Sequence, residues 1–257
     1  MMEGIVPALK RRRGRRAKKD SGFVQLFISK RLIHGAAAAI LGIFVPIFIY
    51  ETTGEEFYIV GGYYALLSLL YALLLVPGMK VTNWLGFSRT LVLGGVFSVI
   101  LYTLMIFMNE ENFWTILPFL TIAIVGFRIW HWVPYHVDFS LFTKAGERGR
   151  MVSLSMATIA FMGVVGPILA GFIIQETSYN ILFAIAVALL VAATISYGFV
   201  PETNTKFTWT YRETLQKMFS RKYSGVTFGE AANGVEVGVT VIVWPIFLYE
   251  ILNGDVF

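Results

Sequence analysis

GAAAAILGIFVPIFIYE, residues 35–51, is an apolar stretch whose last six residues return near the other end of the chain. The first copy reads Pro46-Ile47-Phe48-Ile49-Tyr50-Glu51. The second, 199 positions later, reads Pro245-Ile246-Phe247-Leu248-Tyr249-Glu250, with Gly234 at the offset of Gly35. Each copy ends a hydrophobic run and leads into a short acidic turn. The pattern predicts the same helix twice, with Pro46 and Pro245 marking a matching break near one end of each copy.

The composition indicates a membrane protein. The 257 residues are 56% apolar and only 14% charged, about half the charged fraction of an ordinary soluble domain. A soluble bundle with buried helices is disfavoured, because it would need polar helix faces that are mostly missing here. The absence of cysteine excludes disulfides and thiolate metal sites.

Seven apolar runs are long enough to cross a bilayer core of about 30 Å, which takes about 20 helical residues. They must be helical because lipid offers the backbone no hydrogen-bonding partner. We number them spans 1 to 7 and predict them at 32–50, 57–77, 90–108, 113–135, 151–174, 181–200 and 226–249.

The charged connections predict the orientation. Eight basic side chains lie between Lys10 and Lys19, and the other basic connections follow spans 2, 4 and 6, whereas acidic residues follow spans 1, 3 and 5. By the positive-inside rule, the N-terminus is cytoplasmic, in a plasma or inner membrane. The basic run is better explained as a topology signal that touches anionic lipid than as a nucleic-acid patch.

The connections also divide the chain. We predict a basic cytoplasmic segment at 1–22, a six-span bundle at 23–200, and a cytoplasmic linker with a short amphipathic helix at 201–224. Residues 225–257 would then be the first span of a second bundle, which a complete repeat would extend to about residue 400. We therefore expect a truncated chain that is inactive as a transporter by itself.

Six spans, a cytoplasmic linker and a restarted repeat resemble the major facilitator superfamily, over roughly residues 23 to 257. Between spans 2 and 3 that family usually has the turn G-x-L-A-D-R-x-G-R-[KR]. Residues 79–88 read MKVTNWLGFS, in which Gly86 fits well, Asn83 takes the place of the family's Asp, and Arg89 lies slightly out of register. This departure puts the family's charged latch between cytoplasmic helix ends in doubt.

In span 5, residues 163–171 read GVVGPILAG, similar to the family's glycine-proline motif G-x-x-x-G-P-x-x-G-G. Gly163, Gly166 and Ala170 are predicted to share a helix face that allows close helix approach, and Pro167 loosens the backbone hydrogen bonding. Gly171 ends the motif. A simple packing face explains the motif as well as an antiporter-specific role does.

The resemblance implies an all-α integral membrane protein: a six-helix bundle of that superfamily's type, a cytoplasmic linker and a seventh transmembrane helix. It also implies a secondary transporter of a small solute that works by alternating access, uses an ion or proton gradient, and needs no cofactor. Spans 1 and 7 would pair across the pseudo-twofold axis and form the outer gate. A seven-helix receptor or a membrane scaffold is the alternative. No phosphate loop, nucleophile elbow or zinc signature favours an enzyme.

Charged groups inside spans are costly and usually face a partner or a watery cavity. The candidates for substrate or proton binding are Arg31 and His34 in span 1, Arg128 and His131 on one face of span 4, and Glu236 in span 7. The competing interpretation pairs these charges between helices. We place His136 and Asp138 at the cytoplasmic rim, where Asp138 and Arg148 are candidate gating residues. No first shell for a metal is complete at helical spacing.

Overall fold

The computed structural model describes residues 20–143, 146–203 and 205–252. The predicted basic run at 10–19 and the last five residues of the chain lie outside this part. Seven of its helices are long and apolar enough to cross a membrane, which confirms the predicted number of spans. Spans 1 to 7 occupy Asp20–Thr52, Phe57–Leu85, Phe87–Phe107, Phe113–Phe142, Arg148–Glu176, Tyr179–Tyr197 and Ser224–Ile251.

Spans 1, 2 and 4 are longer than predicted, and the added turns are at the predicted cytoplasmic end. Span 1 begins at Asp20, span 2 continues to Leu85 and span 4 continues to Phe142. An apolar window of about 20 residues marks only the hydrocarbon crossing. The helical backbone satisfies its own hydrogen bonds on either side of that boundary, so the helices continue beyond it.

Spans 1, 4 and 7 each contain a π-helical segment, at Phe27–Ile33, Arg128–Trp132 and Val239–Val243. In spans 4 and 7 a proline, Pro134 or Pro245, follows the segment after one intervening residue. Proline lacks an N–H and clashes with the carbonyl one turn earlier, so the hydrogen-bond ladder changes register there. Pro46 likewise follows a break in span 1, the turn at Gly42 and Ile43. The predicted breaks before the two repeated motifs are therefore present.

The bundle is held together by close helix contacts. Span 3 packs against spans 4 and 6, and span 1 packs against spans 5 and 6. Span 7 touches span 1 through its last helical segment, Trp244–Ile251, against Phe44–Thr52. By contrast, no residue of Ser224–Gly238 is buried. Span 7 therefore meets span 1 at the end that carries the repeated motif.

The turn between spans 2 and 3 requires a glycine at Gly86. Its φ of +90° lies in the left-handed region, and a Cβ there would sit 2.7 Å from a carboxylate oxygen of Glu202. That carboxylate accepts a hydrogen bond from the Phe87 N–H at 2.9 Å. Gly86, the residue that fits the turn motif between spans 2 and 3, thus lets the connection after span 6 approach the start of span 3.

The connection after span 6 contains a short helix, Tyr211–Met218, as predicted for 201–224. It begins with a capping box: the Thr210 N–H and hydroxyl donate to Glu213, and the Glu213 N–H donates to Thr210 Oγ1. The bonds from Thr210 lower the pKa of the Glu213 carboxyl. Lys217 Nζ lies 3.4 Å from the centroid of the Trp209 ring. This cation–π contact holds the last turn of the helix to the residue that precedes its cap.

Asn83 ties the end of span 2 to this connection. Its Nδ2 donates to the Phe207 carbonyl at 2.5 Å, and the Phe207 N–H donates to its Oδ1 at 2.7 Å. The family's Asp at this position could accept a hydrogen bond but not donate one in its ionised form. The neutral amide of Asn83 therefore makes a pair of hydrogen bonds that a carboxylate cannot reproduce.

We expect Asn83→Ala to loosen the connection without unfolding the bundle. Two partly buried hydrogen bonds contribute about 1–3 kcal/mol together, so trypsin should cleave after Lys206 and Arg212 about tenfold faster. The cleavage rate by gel densitometry checks this. Asn180→Ala, at an exposed position of span 6, is the control and should leave the rate unchanged. Equal cleavage rates in the Asn83 variant and the parent would show that these two hydrogen bonds do not hold the connection in place.

Candidate functional site

A cavity of about 670 Å³ lies between spans 2, 4 and 7. Its lining is mostly apolar and contains a few polar groups: Tyr64, Ser68 and Tyr71 from span 2, Arg128 and His136 from span 4, and Glu230 and Asn233 from span 7. The size falls in the range of small-molecule sites. This cavity is the candidate solute site.

Arg128 is the charged group in the middle of span 4. It begins the π segment, is half-buried, and lies within electrostatic range of Tyr63, Tyr64 and Tyr71. Among the described residues it has no ion pair within 4 Å. A guanidinium at this depth is costly unless an anion, a hydroxyl or water faces it. The cavity next to Arg128 can hold such a partner.

His136 and Glu230 both line the cavity and lie within electrostatic range of each other. His136 stacks on Trp132, with ring centroids 5.7 Å apart, and feels the charge of Glu230. We had expected His136 at the cytoplasmic rim, outside the cavity. It lines the cavity because span 4 continues as a regular helix to Phe142, which puts His136 two turns beyond Arg128 on the same face.

His131 does not line the cavity, although its spacing from Arg128 predicts a shared face. The two residues lie in a π segment, whose wider turn separates side chains three apart more than an α-helix does. The His131 ring turns towards span 1 and stacks on His34, with centroids 4.7 Å apart and planes inclined by 10°. Both side chains are buried. The structure thus places two of the predicted site residues, His34 and His131, against each other outside the cavity.

The backbone of span 3 allows this histidine pair to form. A Cβ at Gly94 would lie 2.8 Å from both the backbone N and the Cβ of His131. Tyr197 of span 6 closes the other side, its ring 5.1 Å from the His131 centroid. Within the described residues, His34 Nδ1 and both ring nitrogens of His131 have no hydrogen-bond partner. Such unpaired buried groups destabilise a fold and are typical of functional sites.

The groups next to the histidine pair are basic. Lys30 is buried with its ammonium 5.0 Å from the centroid of the Trp132 ring, and the guanidinium of Arg31 lies 5.1 Å from that of Tyr135. Neither forms an ion pair with a described residue. Aromatic rings stabilise these charges instead. Arg31, the fourth predicted residue, therefore lies beside Tyr135, next to the pair.

Glu236, the fifth, is exposed and does not line the cavity. Its carboxylate accepts a long 3.4 Å hydrogen bond from Thr240. The cavity face of span 7 contains Glu230, Asn233, Gly234, Val237 and Gly238, which follow helical spacing, and Glu236 falls outside it. This spacing was the available signal for Glu230, but depth in the span had favoured Glu236.

The other predicted gating and packing residues take separate positions. Asp138 is buried and accepts a 2.7 Å hydrogen bond from Thr203. Arg148 donates to the Ser140 carbonyl at 3.1 Å and to Thr143. Arg89 is exposed. Asp138 is therefore bonded to the connection after span 6, Arg148 is bonded to the end of span 4, and the two do not pair with each other.

In span 5 only part of the predicted small-residue face contacts another helix. A Cβ at Gly166 would lie 2.6 Å from the carbonyl carbon and Cβ of Ala39, and Ala170 and Gly171 are buried. At Gly163, by contrast, nothing lies within 4 Å. The inclusion of Gly163 in the contact face was wrong. Its neighbour Met162 reaches span 1, with Sδ 3.2 Å from a Cβ at Gly35, whereas Gly163 itself faces away from span 1. Pro167 follows the contact without interrupting the helix.

The repeated motifs meet at the other end of span 1. The Tyr50 hydroxyl donates to Glu250 Oε1 at 2.6 Å, and the Tyr50 and Tyr249 rings meet edge to face with centroids 6.1 Å apart. The hydroxyl of Tyr249 lies beside the carboxylate of Glu51. Each tyrosine thus faces the glutamate of the other copy, as a twofold arrangement of one motif requires. We call these four residues the tyrosine–glutamate latch.

Among the described residues, no group of three or more His, Cys, Asp or Glu side chains converges at one place. Residues 27–253 match the family model described as Major Facilitator Superfamily. No curated protein sequence matches the chain.

Proposed function

The chain belongs to the major facilitator superfamily of membrane transporters, and on that premise we propose that it moves a small solute across the membrane by alternating access. The observation that carries the proposal is the 670 Å³ cavity, whose lining combines the guanidinium of Arg128 with mostly apolar walls. The cavity lies in a bundle whose spans 1 and 7 meet at the latch. The Ser224 to Gly238 part of span 7 buries no residue, which supports an entrance on that side.

The transporting unit in this proposal contains a second bundle beside spans 1 to 6. Span 7 is its first helix, and the repeated motif is its counterpart of the motif in span 1. The two bundles rock about the cavity, so that the latch opens when the opposite end closes. The domain division at residues 200 and 225 is part of the same proposal.

We also propose that a proton gradient drives the cycle through the histidine pair. Two imidazoles stacked at 4.7 Å repel each other when both are charged, so the pair favours at most one proton. Spans 1, 4 and 6 bring the titratable or charged groups around it, which are Lys30, Arg31, Tyr135, His136 and Tyr197. Gain or loss of a proton by the histidine pair changes the electrostatic repulsion between spans 1 and 4.

The proposed location is a plasma or inner membrane, with the N-terminus in the cytoplasm. The latch then closes the outer end, and the cavity opens inwards. A reporter enzyme that is active only in the cytoplasm, fused after Phe257, tests the orientation. Low activity supports it, and activity equal to that of an N-terminal fusion overturns it.

Thiol labelling tests alternating access without knowledge of the substrate. The chain contains no cysteine, so Ser68→Cys gives a single thiol in the cavity wall. In sealed vesicles of the complete protein, we expect a membrane-impermeant maleimide to react from the cytoplasmic side and slowly from the outside. A steady imposed proton gradient should change the ratio of the two rates. Reaction from one side only, whatever the gradient, would contradict alternating access.

In the same background, Tyr50→Phe should favour the outward-open state. A hydrogen bond to a carboxylate contributes about 1.5–3 kcal/mol, so its loss should raise labelling from the outside about tenfold or more. Tyr58→Phe, at an exposed position of span 2, removes a hydroxyl elsewhere on the same face of the protein and should change nothing. If both variants label alike, the latch does not control the outer end.

A further inference from the structure

We propose that the central cavity binds an organic anion, with its anionic group at Arg128 and an apolar or aromatic body against Trp132 and the valines of spans 4 and 7. This inference rests on the proposed function, whose substrate it narrows to a chemical class. It follows from how charge, hydroxyl groups and space are distributed in the cavity wall.

Arg128 brings a positive charge into the cavity wall. Arg128 has no ion pair within 4 Å among the described residues, and its closest electrostatic partners are the hydroxyl-bearing rings of span 2. Glu230, the acidic residue of the lining, lies within electrostatic range of His136, which is eight residues from Arg128 along span 4. A ligand that passes Glu230 reaches the guanidinium of Arg128 beside the hydroxyl groups of span 2, and a carboxylate or another planar oxyanion can bind this guanidinium with two parallel hydrogen bonds.

Span 2 supplies polar groups to the same wall. Tyr64, Ser68 and Tyr71 follow the spacing i, i+4 and i+7 on one helix face and all line the cavity. The Ser68 hydroxyl already donates to the Tyr64 carbonyl at 2.9 Å. The phenol groups of Tyr64 and Tyr71 remain to donate to an oxyanion beside Arg128. Donors outnumber acceptors at this depth, which favours an anion over a cation.

The remaining lining suits an apolar body. The apolar part of the lining is large: it consists of Trp132, Val133, Val137, Val237, Val241 and Ile242. Gly234 and Gly238 face the same space, and nothing lies within 4 Å of a Cβ at either position. These glycines leave room for a ring system on the span 7 side. A sugar or another polyol would leave its hydroxyls unpaired against this surface.

Three probes with the same ring system and different charge test the inference: 2-naphthoate, 2-naphthamide and 2-naphthylmethylamine. Binding to the purified complete protein is measured as protection of the Ser68→Cys thiol from the maleimide. We expect 2-naphthoate to protect about tenfold to a hundredfold better than the neutral amide, because the charged hydrogen bonds to Arg128 are absent in the amide.

Arg128→Gln should remove this preference for the anion, and Arg128→Lys should retain part of it, since the charge stays but the planar fork is lost. Arg221→Gln, at an exposed position of the connection after span 6, is the matched control and should leave all three affinities unchanged. Better protection by the amine, equal protection by naphthoate in Arg128→Gln, or no protection by naphthoate at millimolar concentration would each overturn the inference.

The measurement separates this inference from the proposed function. Protection reports binding in a protein at rest and needs no transport. Anion binding at Arg128 in a protein whose two-sided labelling never changes would refute alternating access and retain the anion site. Two-sided labelling that changes with the gradient, without any preference for the anion, would support alternating access and refute the anion site.

Discussion

Replacing Gly166 with leucine is expected to break the contact between spans 1 and 5. The Cβ alone would lie 2.6 Å from the carbonyl carbon of Ala39, a distance that no real Cβ contact shows. The obstacle is backbone, so no side-chain rotation relieves it, and the two helices must separate. Overpacking of this kind costs about 1–3 kcal/mol and occasionally more. We expect the upper end, because the added atoms also open voids beside Ala170.

The measurement is thermal unfolding followed by loss of the monodisperse peak in size-exclusion chromatography. Gly163→Leu is the control, one turn away on the same helix, because nothing lies within 4 Å of its Cβ position. That variant should unfold at the parent temperature, whereas Gly166→Leu should unfold several degrees lower or fail to accumulate. Equal stability of the two variants would show that span 5 does not approach span 1 as closely as described.

Replacing His131 with leucine is expected to stabilise the protein and to abolish its pH-dependent transport. His131 is fully buried, and both ring nitrogens lack a partner within the described residues. Removing an unpaired buried polar group in favour of an apolar one of similar size relieves about 1–3 kcal/mol of desolvation. The same substitution deletes one half of the proposed proton site, so the proton-driven rate should fall at least tenfold.

Two readouts separate these effects. Thermal unfolding reports the stability, and proton uptake by sealed vesicles, followed with an internal pH dye, reports coupling. Tyr197→Phe is the comparison: it removes a neighbouring buried hydroxyl that also lacks a partner, but leaves the ring against His131. It should raise the unfolding temperature slightly without loss of proton uptake. A destabilised His131→Leu protein would mean that the imidazole has a partner such as water.

Much of the architecture follows from local sequence. Each span is predicted by its own apolar window, Gly86 by its place in the turn, and the helix Tyr211–Met218 by its amphipathic pattern. The repeat of Tyr50-Glu51 as Tyr249-Glu250 predicted that the two helices pair. The structure brings these ends into contact through the hydrogen bond from Tyr50 to Glu250. The exchange of partners between the copies was visible only in the structure.

The candidate site was predictable in its members but not in its arrangement. Depth in a span identified Arg128, His131 and His34, and it misplaced Glu236. Depth in a span does not tell in which direction a side chain points around the helix axis. The π segment at Arg128–Trp132 turns Arg128 towards the cavity and His131 towards span 1, although a regular helix would put them on one face. Hydrophobic periodicity does not reveal such a segment.

By itself, the sequence determined that this protein has seven membrane spans, where the chain turns between them, and that one helix occurs twice. These properties are local, because lipid forces each apolar run to satisfy its own backbone hydrogen bonds. The tertiary structure alone decided that His131 meets His34, that Glu230 rather than Glu236 lines the cavity, and that Gly166 but not Gly163 touches span 1. Those outcomes depend on how far each helix is rotated about its axis, which packing against its neighbours sets.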